Sequence, residues 1–181
     1  MTRSWVFSFL LVAAFSAAVA ATQYQLIPAQ SKLTFTAVQA GAPFDGAFKR
    51  FNANVQFDPA AATSCRFEVV IDMASVDTQD GERDDLIKGP DLFDVKRFPT
   101  ARYTADRCSA QGKQFIGHGK LTLRNVARDV PITFTFDGSA VALKGSATFK
   151  RLDFGVGQGE WKDTEWVAND VKVNFALQLK K

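Results

Sequence analysis

At 181 residues, with 22 basic and 19 acidic side chains, two cysteines and a single histidine, the chain is sized for one domain and carries little net charge. Its basic residues are scattered: Lys49-Arg50, Arg102, Arg107, Lys113 and Lys180-Lys181 form no stripe with interleaved aromatics, which argues against a nucleic-acid partner. One imidazole and two cysteines leave no soft ligand set, so no metal or other cofactor is expected.

Arg3 opens a short positive segment, and residues 5–19 are an apolar run too short to span a bilayer comfortably. Ala18-Val19-Ala20 then supplies a small-x-small cleavage pattern. Residues 1–20 therefore read as a cleaved signal peptide and residues 21–181 as the mature, exported domain; a retained anchor is the alternative. Loss of Arg3 leaves a net charge of about +2.

The mature chain is dominated by rows of apolar residues at period two, and most of the full chain's 17 phenylalanines load those rows. Residues 24–28 and 31–38 read as opening strands, with Leu33, Phe35 and Ala37 on one face. After Gly41-Ala42-Pro43, residues 44–58 change phase: Phe44, Gly46 and Phe48 share one parity, Phe51, Ala53, Val55 and Phe57 the other. A bulged or sharply bent single strand is the expected cause. Phe67, Val69, Ile71 and Met73 form the next row, after Cys65.

Residues 80–95 are the one helical stretch, capped by Asp80 or Thr78, with Leu86, Ile87, Leu92 and Phe93 as its apolar side and Gly89-Pro90 as an interruption. Strands resume over residues 100–107, 113–124, 126–137 and 140–150. A glycine-rich loop over 151–168 precedes the last strand, where Val171, Val173, Phe175, Leu177 and Leu179 share a face. One-sided strands must bury their greasy faces against one another. The fold class is all-β: a single extended antiparallel barrel of about eight strands with a short helical insertion around residues 80–95.

Cys65 and Cys108 stand 43 positions apart, one entering a strand and one leaving another. In an exported chain such a pair reads as a disulfide; a redox-active pair would be expected to show Cys-x-x-Cys.

Few residues suggest chemistry. His118, in Gly117-His118-Gly119, has the parity opposite Phe115 and Leu121 and should face outwards, which leaves a triad without its base. Asp77, Asp80, Glu82, Asp84, Asp85, Asp91 and Asp94 cluster, but Gln79 and Gly81 fall where calcium-loop ligands belong, so a solvated helix start is the plainer reading. The run Gly155-Val156-Gly157-Gln158-Gly159 lacks the following helix of a phosphate loop. Its flanking Phe154, Trp161 and Trp166 are the residues to roof a cavity. Small residues share the inward rows: Gly117 and Gly119 between Phe115 and Leu121, Gly145 between Leu143 and Phe149, and Ala101 and Ala105 beside Tyr103. Their recurrence favours an underfilled interior that would accept leucine at Gly119 or Gly145, against a filled one in which glycines ease strand bending.

Several segments together resemble the YceI-like family. They are Ser75-Val76-Asp77-Thr78, Arg83-Asp84-Asp85-Leu86, Asp91-Leu92-Phe93-Asp94-Val95, Phe98-Pro99-Thr100, Gly119-Lys120-Leu121-Thr122-Leu123, Val130-Pro131-Ile132, Arg151-Leu152-Asp153-Phe154-Gly155-Val156-Gly157 and Asp170-Val171. The resemblance implies a lipocalin-like barrel that holds an isoprenoid or similar lipid, exported in bacteria often to the periplasm, and no enzymatic activity. Many members carry a histidine where this chain has Gln39-Ala40-Gly41.

The expected function is that of a periplasmic, secreted carrier or sequestering protein for a long-chain amphiphile, a prenyl quinone or fatty-acid-like lipid. The tail would lie among Phe35, Ala37, Phe48, Phe67, Val69, Ile71, Leu86, Phe93, Tyr103, Phe115, Gly117, Gly119, Leu121, Phe134, Phe136, Gly145, Phe149, Phe154, Trp161 and Phe175. Gln39, Arg151 and Asp153 are the candidates near the head group. The partner expected is thus the lipid itself; the sequence is also compatible with a homodimer. The rivals are a structural or adhesive domain with a filled core, and a hydrolase using the same apolar pocket.

Overall fold

The computed structural model describes residues 22–181, so the expected signal peptide over 1–20 lies outside the described residues. The alternating rows become twelve strands: β1 (Gln23–Leu26), β2 (Lys32–Gln39), β3 (Ala42–Phe48), β4 (Phe51–Gln56), β5 (Arg66–Asp72), β6 (Val76–Asp77), β7 (Thr100–Gln111), β8 (Gln114–Leu123), β9 (Val126–Asp129), β10 (Ile132–Asp137), β11 (Ala142–Lys150) and β12 (Asp170–Lys180). Among the described residues one α-helix, α1 (Gly81–Lys88), separates β6 from β7.

Antiparallel pairing runs β1-β4-β5-β7-β8-β10-β11-β12 and returns from β12 to β1, which closes an eight-strand barrel. Closure leaves no edge within that ring. Strands β2, β3 and β6 continue the wall beyond β12, and α1 stands next to β6 where that extension ends. β2 pairs with residues 172–176 of β12, whereas β1 pairs with residues 179 and 180. The two therefore occupy one wall position at different heights, which gives the barrel a mouth end and a floor end.

The phase change over 44–58 has a different origin from the bulge expected of it. The segment is two strands, β3 pairing with β2 and β6, and β4 pairing with β1 and β5. At the break the Lys49 amide donates to the Ser75 carbonyl at 3.1 Å, and the Arg50 amide to Ser75 Oγ at 3.0 Å. A buried serine thus absorbs the backbone groups freed by changing ladders, and parity restarts after it. Residues 126–137 likewise split into β9 and β10 at Val130-Pro131, where proline has no amide to continue a ladder. The irregularity that does interrupt a strand lies in β7, between Ala105 and Arg107.

The Asp80 carboxylate caps α1 by accepting from the Arg83 amide at 3.1 Å. Gly89-Pro90 ends the helix, and a turn follows in which the Asp94 amide donates to the Gly89 carbonyl at 2.8 Å. That turn presents Leu92 and Phe93 to the barrel. Cys65 and Cys108 are joined as a disulfide with their Cα atoms 5.8 Å apart, fastening the start of β5 to β7.

Candidate functional site

Along β4 and the residue that follows it, Phe51 is half-buried, whereas Ala53, Val55 and Phe57 are 1 %, 0 % and 0 % exposed. That gradient runs from the mouth to the floor. At the floor, the Phe57 ring meets Phe115 at 4.9 Å, Phe134 at 5.2 Å and Phe136 at 5.4 Å between centroids, each in edge-on geometry. Tyr24 packs beyond Phe136 at 5.6 Å. Aromatic edges directed at ring faces fill the axis. This end is solid.

The mouth end is hollow. A cavity of about 380 Å³ runs down the barrel, within the range of small-molecule sites. Its walls come from Phe35, Ala37 and Phe48 on β2 and β3, from Phe67, Val69 and Ile71 on β5, and from Tyr103, Leu121, Phe149 and Phe175 on later strands. Leu86 of α1, Phe93 of the following turn and Trp161 of the 151–168 loop complete it. Several inward residues here stay only half-buried, namely Val69, Ile71, Phe149, Val173 and Phe175, because the cavity is what they face.

The remaining tail candidates lie elsewhere. Phe115, Phe134 and Phe136 belong to the solid floor, and Phe154, 1 % exposed, is stacked edge-on behind Phe149 at 5.3 Å. Gly117, Gly119 and Gly145 do not leave space. A β-carbon at Gly119 would collide with the Tyr103 ring, at Gly145 with the Thr133 carbonyl and the Phe175 ring, and at Gly117 with Ile132 at 2.9 Å. These glycines are absent side chains over which a neighbour's side chain already lies, a ring at Gly119 and Gly145 and Ile132 at Gly117. The expectation that leucine would fit at Gly119 or Gly145 is therefore corrected: backbone or a packed ring occupies the place it would need.

Of the head-group candidates, Gln39 lines the cavity near its opening, where its backbone bridges to Val167. Asp153 is exposed and away from the lining. Arg151 reaches the cavity wall but is 4 % exposed, and its donors are taken by backbone carbonyls. Nε donates to Ala168 at 3.1 Å, Nη1 to Val156 at 2.9 Å and Trp161 at 2.6 Å, and Nη2 to Val167 at 2.7 Å and Asp163 at 3.3 Å. Desolvation lowers its pKa from the ordinary arginine value. It holds the 151–168 loop together from within. Gly157, at φ 123°, sits where a side chain would strike that guanidinium.

Sequence reasoning overlooked the polar rim contributed by α1: Asp80, Glu82 and Arg83. The Arg83 guanidinium lies 4.5 Å from the centroid of Phe44, and its Nε donates to Thr78 Oγ1 at 3.0 Å. Helical spacing was the available signal, since Arg83, Leu86 and Ile87 fall at i, i+3 and i+4 on one face. Two other carboxylates of the acidic run have local partners: Asp84 accepts from the Thr78 amide and hydroxyl, and Asp77 from the Gln79 amide.

Deep in the cavity the one ionisable lining group is Tyr103. Burial pushes its phenol above the usual range, so it stays neutral, with its hydroxyl 3.3 Å from the Gly117 carbonyl. His118 is off the cavity and shares a hydrogen bond with Ser109 Oγ at 3.0 Å. Among the described residues no helix is long and apolar enough to cross a membrane.

Comparison with known proteins gives a consistent result. Residues 24–179 match the YceI-like domain. The UPF0312 protein plu2095 of Photorhabdus laumondii is 32 % identical over 85 residues, and a UPF0312 protein of Pseudomonas aeruginosa 31 % over 119. Those alignments take in 47 % and 61 % of this chain, and 44 % and 62 % of the respective relatives, less than two thirds of either. The crystal structure of Burkholderia cenocepacia BcnA superposes with a TM-score of 0.79 at 36 % identity, covering 86 % of this chain and 99 % of BcnA. A polyisoprenoid-binding domain from Saccharophagus degradans shares the fold, with a TM-score of 0.66 at 17 % identity over 87 % of this chain and 97 % of that domain.

Proposed function

The chain belongs to the YceI-like family, and from that premise we propose that it is an exported carrier which encloses the tail of one long-chain amphiphile, a polyisoprenoid or fatty-acid-like lipid. The observation that carries this reading is the cavity itself: about 380 Å³ with apolar walls, and a few polar side chains gathered at its rim. Burial of each methylene is worth about 0.8 kcal/mol, so a five-carbon unit contributes roughly 4 kcal/mol before ordering costs. Tail burial then supplies the affinity, while Gln39, Arg83 and Glu82 at the opening meet the head. A carrier is favoured over a hydrolase because the deep lining offers only a neutral phenol, with no carboxylate or imidazole to act as base. Export accords with the disulfide, which persists in oxidising compartments.

Native mass spectrometry of freshly purified protein, followed by organic extraction, tests the proposal. An extra mass released as a single lipid class is expected. Protein that emerges empty and then fails to take up long-chain lipid from vesicles would end it.

A further inference from the structure

Phe67 has two roles at the bottom of the cavity. It lines the space, and it also packs edge-on against Phe134 at 5.2 Å and beside Phe57 at 6.3 Å. Beneath it Phe57 is fully buried, touches four other phenylalanine rings, Phe67 among them, and is not itself part of the cavity lining. A tail descending from the mouth therefore meets a close-packed layer while several strand residues of barrel still lie below. Interiors packed to crystal-like density yield little, so this layer acts as a stop.

Resting on the carrier reading, we propose that Phe57 sets the length of tail the protein accepts. At interior packing density a five-carbon prenyl unit fills roughly 100 Å³, so the cavity of about 380 Å³ takes at least about three to four units, or an acyl chain of matching bulk. A longer polyprenyl chain must leave its remaining units at the mouth, where they gain no burial. Affinity should climb with tail length and then stop climbing, and the break marks the Phe57 layer.

The test is competition of prenyl alcohols, from about two to about eight units, against a fluorescent fatty-acid probe on the intact mature protein. Each added unit should tighten binding about tenfold or more up to a break at or beyond about three or four units, and by less than about threefold after it. Phe57→Ala should move the break to longer tails by about one unit, and the milder Phe57→Leu by a fraction of that, which covers the case in which the alanine variant does not fold. Affinity that rises steadily through the whole series, or a break unmoved in a folded variant, overturns the assignment while leaving the carrier reading intact. Failure of the wild-type protein to bind the probe or any of the alcohols would overturn the carrier reading instead.

Discussion

The floor and the mouth of this barrel are built from the same sequence pattern and have opposite interiors. At the floor, Val55, Phe57 and Phe134 leave no more than 1 % of their surface exposed, and rings meet across the axis. Toward the mouth, Val69, Phe149 and Phe175 point inward just as strictly and face empty space. What separates them is what lies opposite. A floor ring finds another ring across the barrel, and the wall at the mouth is widened by β2, β3 and β6, with α1 in place of a further strand. The stability of the molecule should accordingly reside at the floor, and its binding capacity at the mouth.

The strongest challenge to that division is Phe57→Ala. Removing a fully buried ring from a packed layer should cost about 3–5 kcal/mol in chemical denaturation. A loss below about 1 kcal/mol would mean the floor is not the stabilising end. Next comes the disulfide, which fastens β5 to β7 beside the floor residues Phe67 and Ala105. With its ends 43 positions apart, replacing both cysteines with serine should cost about 2–4 kcal/mol, toward the upper end of that range. The double variant should still bind lipid wherever it is folded.

Arg151→Lys carries the comparison to the mouth. Lysine keeps the charge, but its three donors cannot serve the five carbonyls that Arg151 holds. A loss of about 1–3 kcal/mol is expected. It should be confined to the loop and visible as faster hydrogen exchange at the Ala168 amide, which donates to the Val38 carbonyl across the mouth. Uniform acceleration across the floor strands would contradict a local role. Smaller still is Val69→Ala, at about 1 kcal/mol or less, because that side chain already faces the cavity. Its effect should fall on lipid affinity, about threefold to tenfold weaker by probe displacement.

Period-two rows from Phe67 and from Val171 made the all-β barrel legible in the sequence, and the Cys65–Cys108 bridge followed from compartment and count. The segments that carry the YceI-like resemblance, from Ser75 to Val171 and part of α1 included, all lie within the matched residues 24–179. Parity also placed Phe35, Val69, Tyr103 and Phe175 inward, because successive strand residues alternate whatever the tertiary context. Height along the barrel could not be read in this way. Nothing in the row Ile132, Phe134, Phe136 says that Ile132 lines a cavity while Phe134 plugs one, since the answer depends on Phe57 from a distant strand. The glycines misled for the same reason: Gly145 is small because Phe175 lies over it, a fact about β12 and not about β11. Arg151 was found as a motif residue, but its commitment to five carbonyls depends on how a long loop folds back, for which a sequence carries no period.

Acid separates the two ends with the smallest effect. Asp137, in the turn between β10 and β11 at the floor, accepts from the Ser139 hydroxyl and from the Ser139 and Ala140 amides, and these bonds hold its carboxyl below the ordinary aspartate value of 3.8. Asp77, beside α1 at the mouth, is held below the same value by the Lys49 ammonium first and then by the Gln79 amide. A depressed folded-state pKa means that folding favours the charged form. The stabilisation is therefore complete above pH 3.8 and is lost as pH falls below it through the depressed value. Both carboxylates are solvent-exposed, so each contribution is small. Melting curves of Asp137→Asn and Asp77→Asn should each lie slightly below wild type near neutral pH and converge with it under acid. Only Asp77→Asn should also weaken lipid binding near neutral pH, because it alone adjoins the helix that lines the mouth; an equal effect of Asp137→Asn on binding would show that the two ends are not separable.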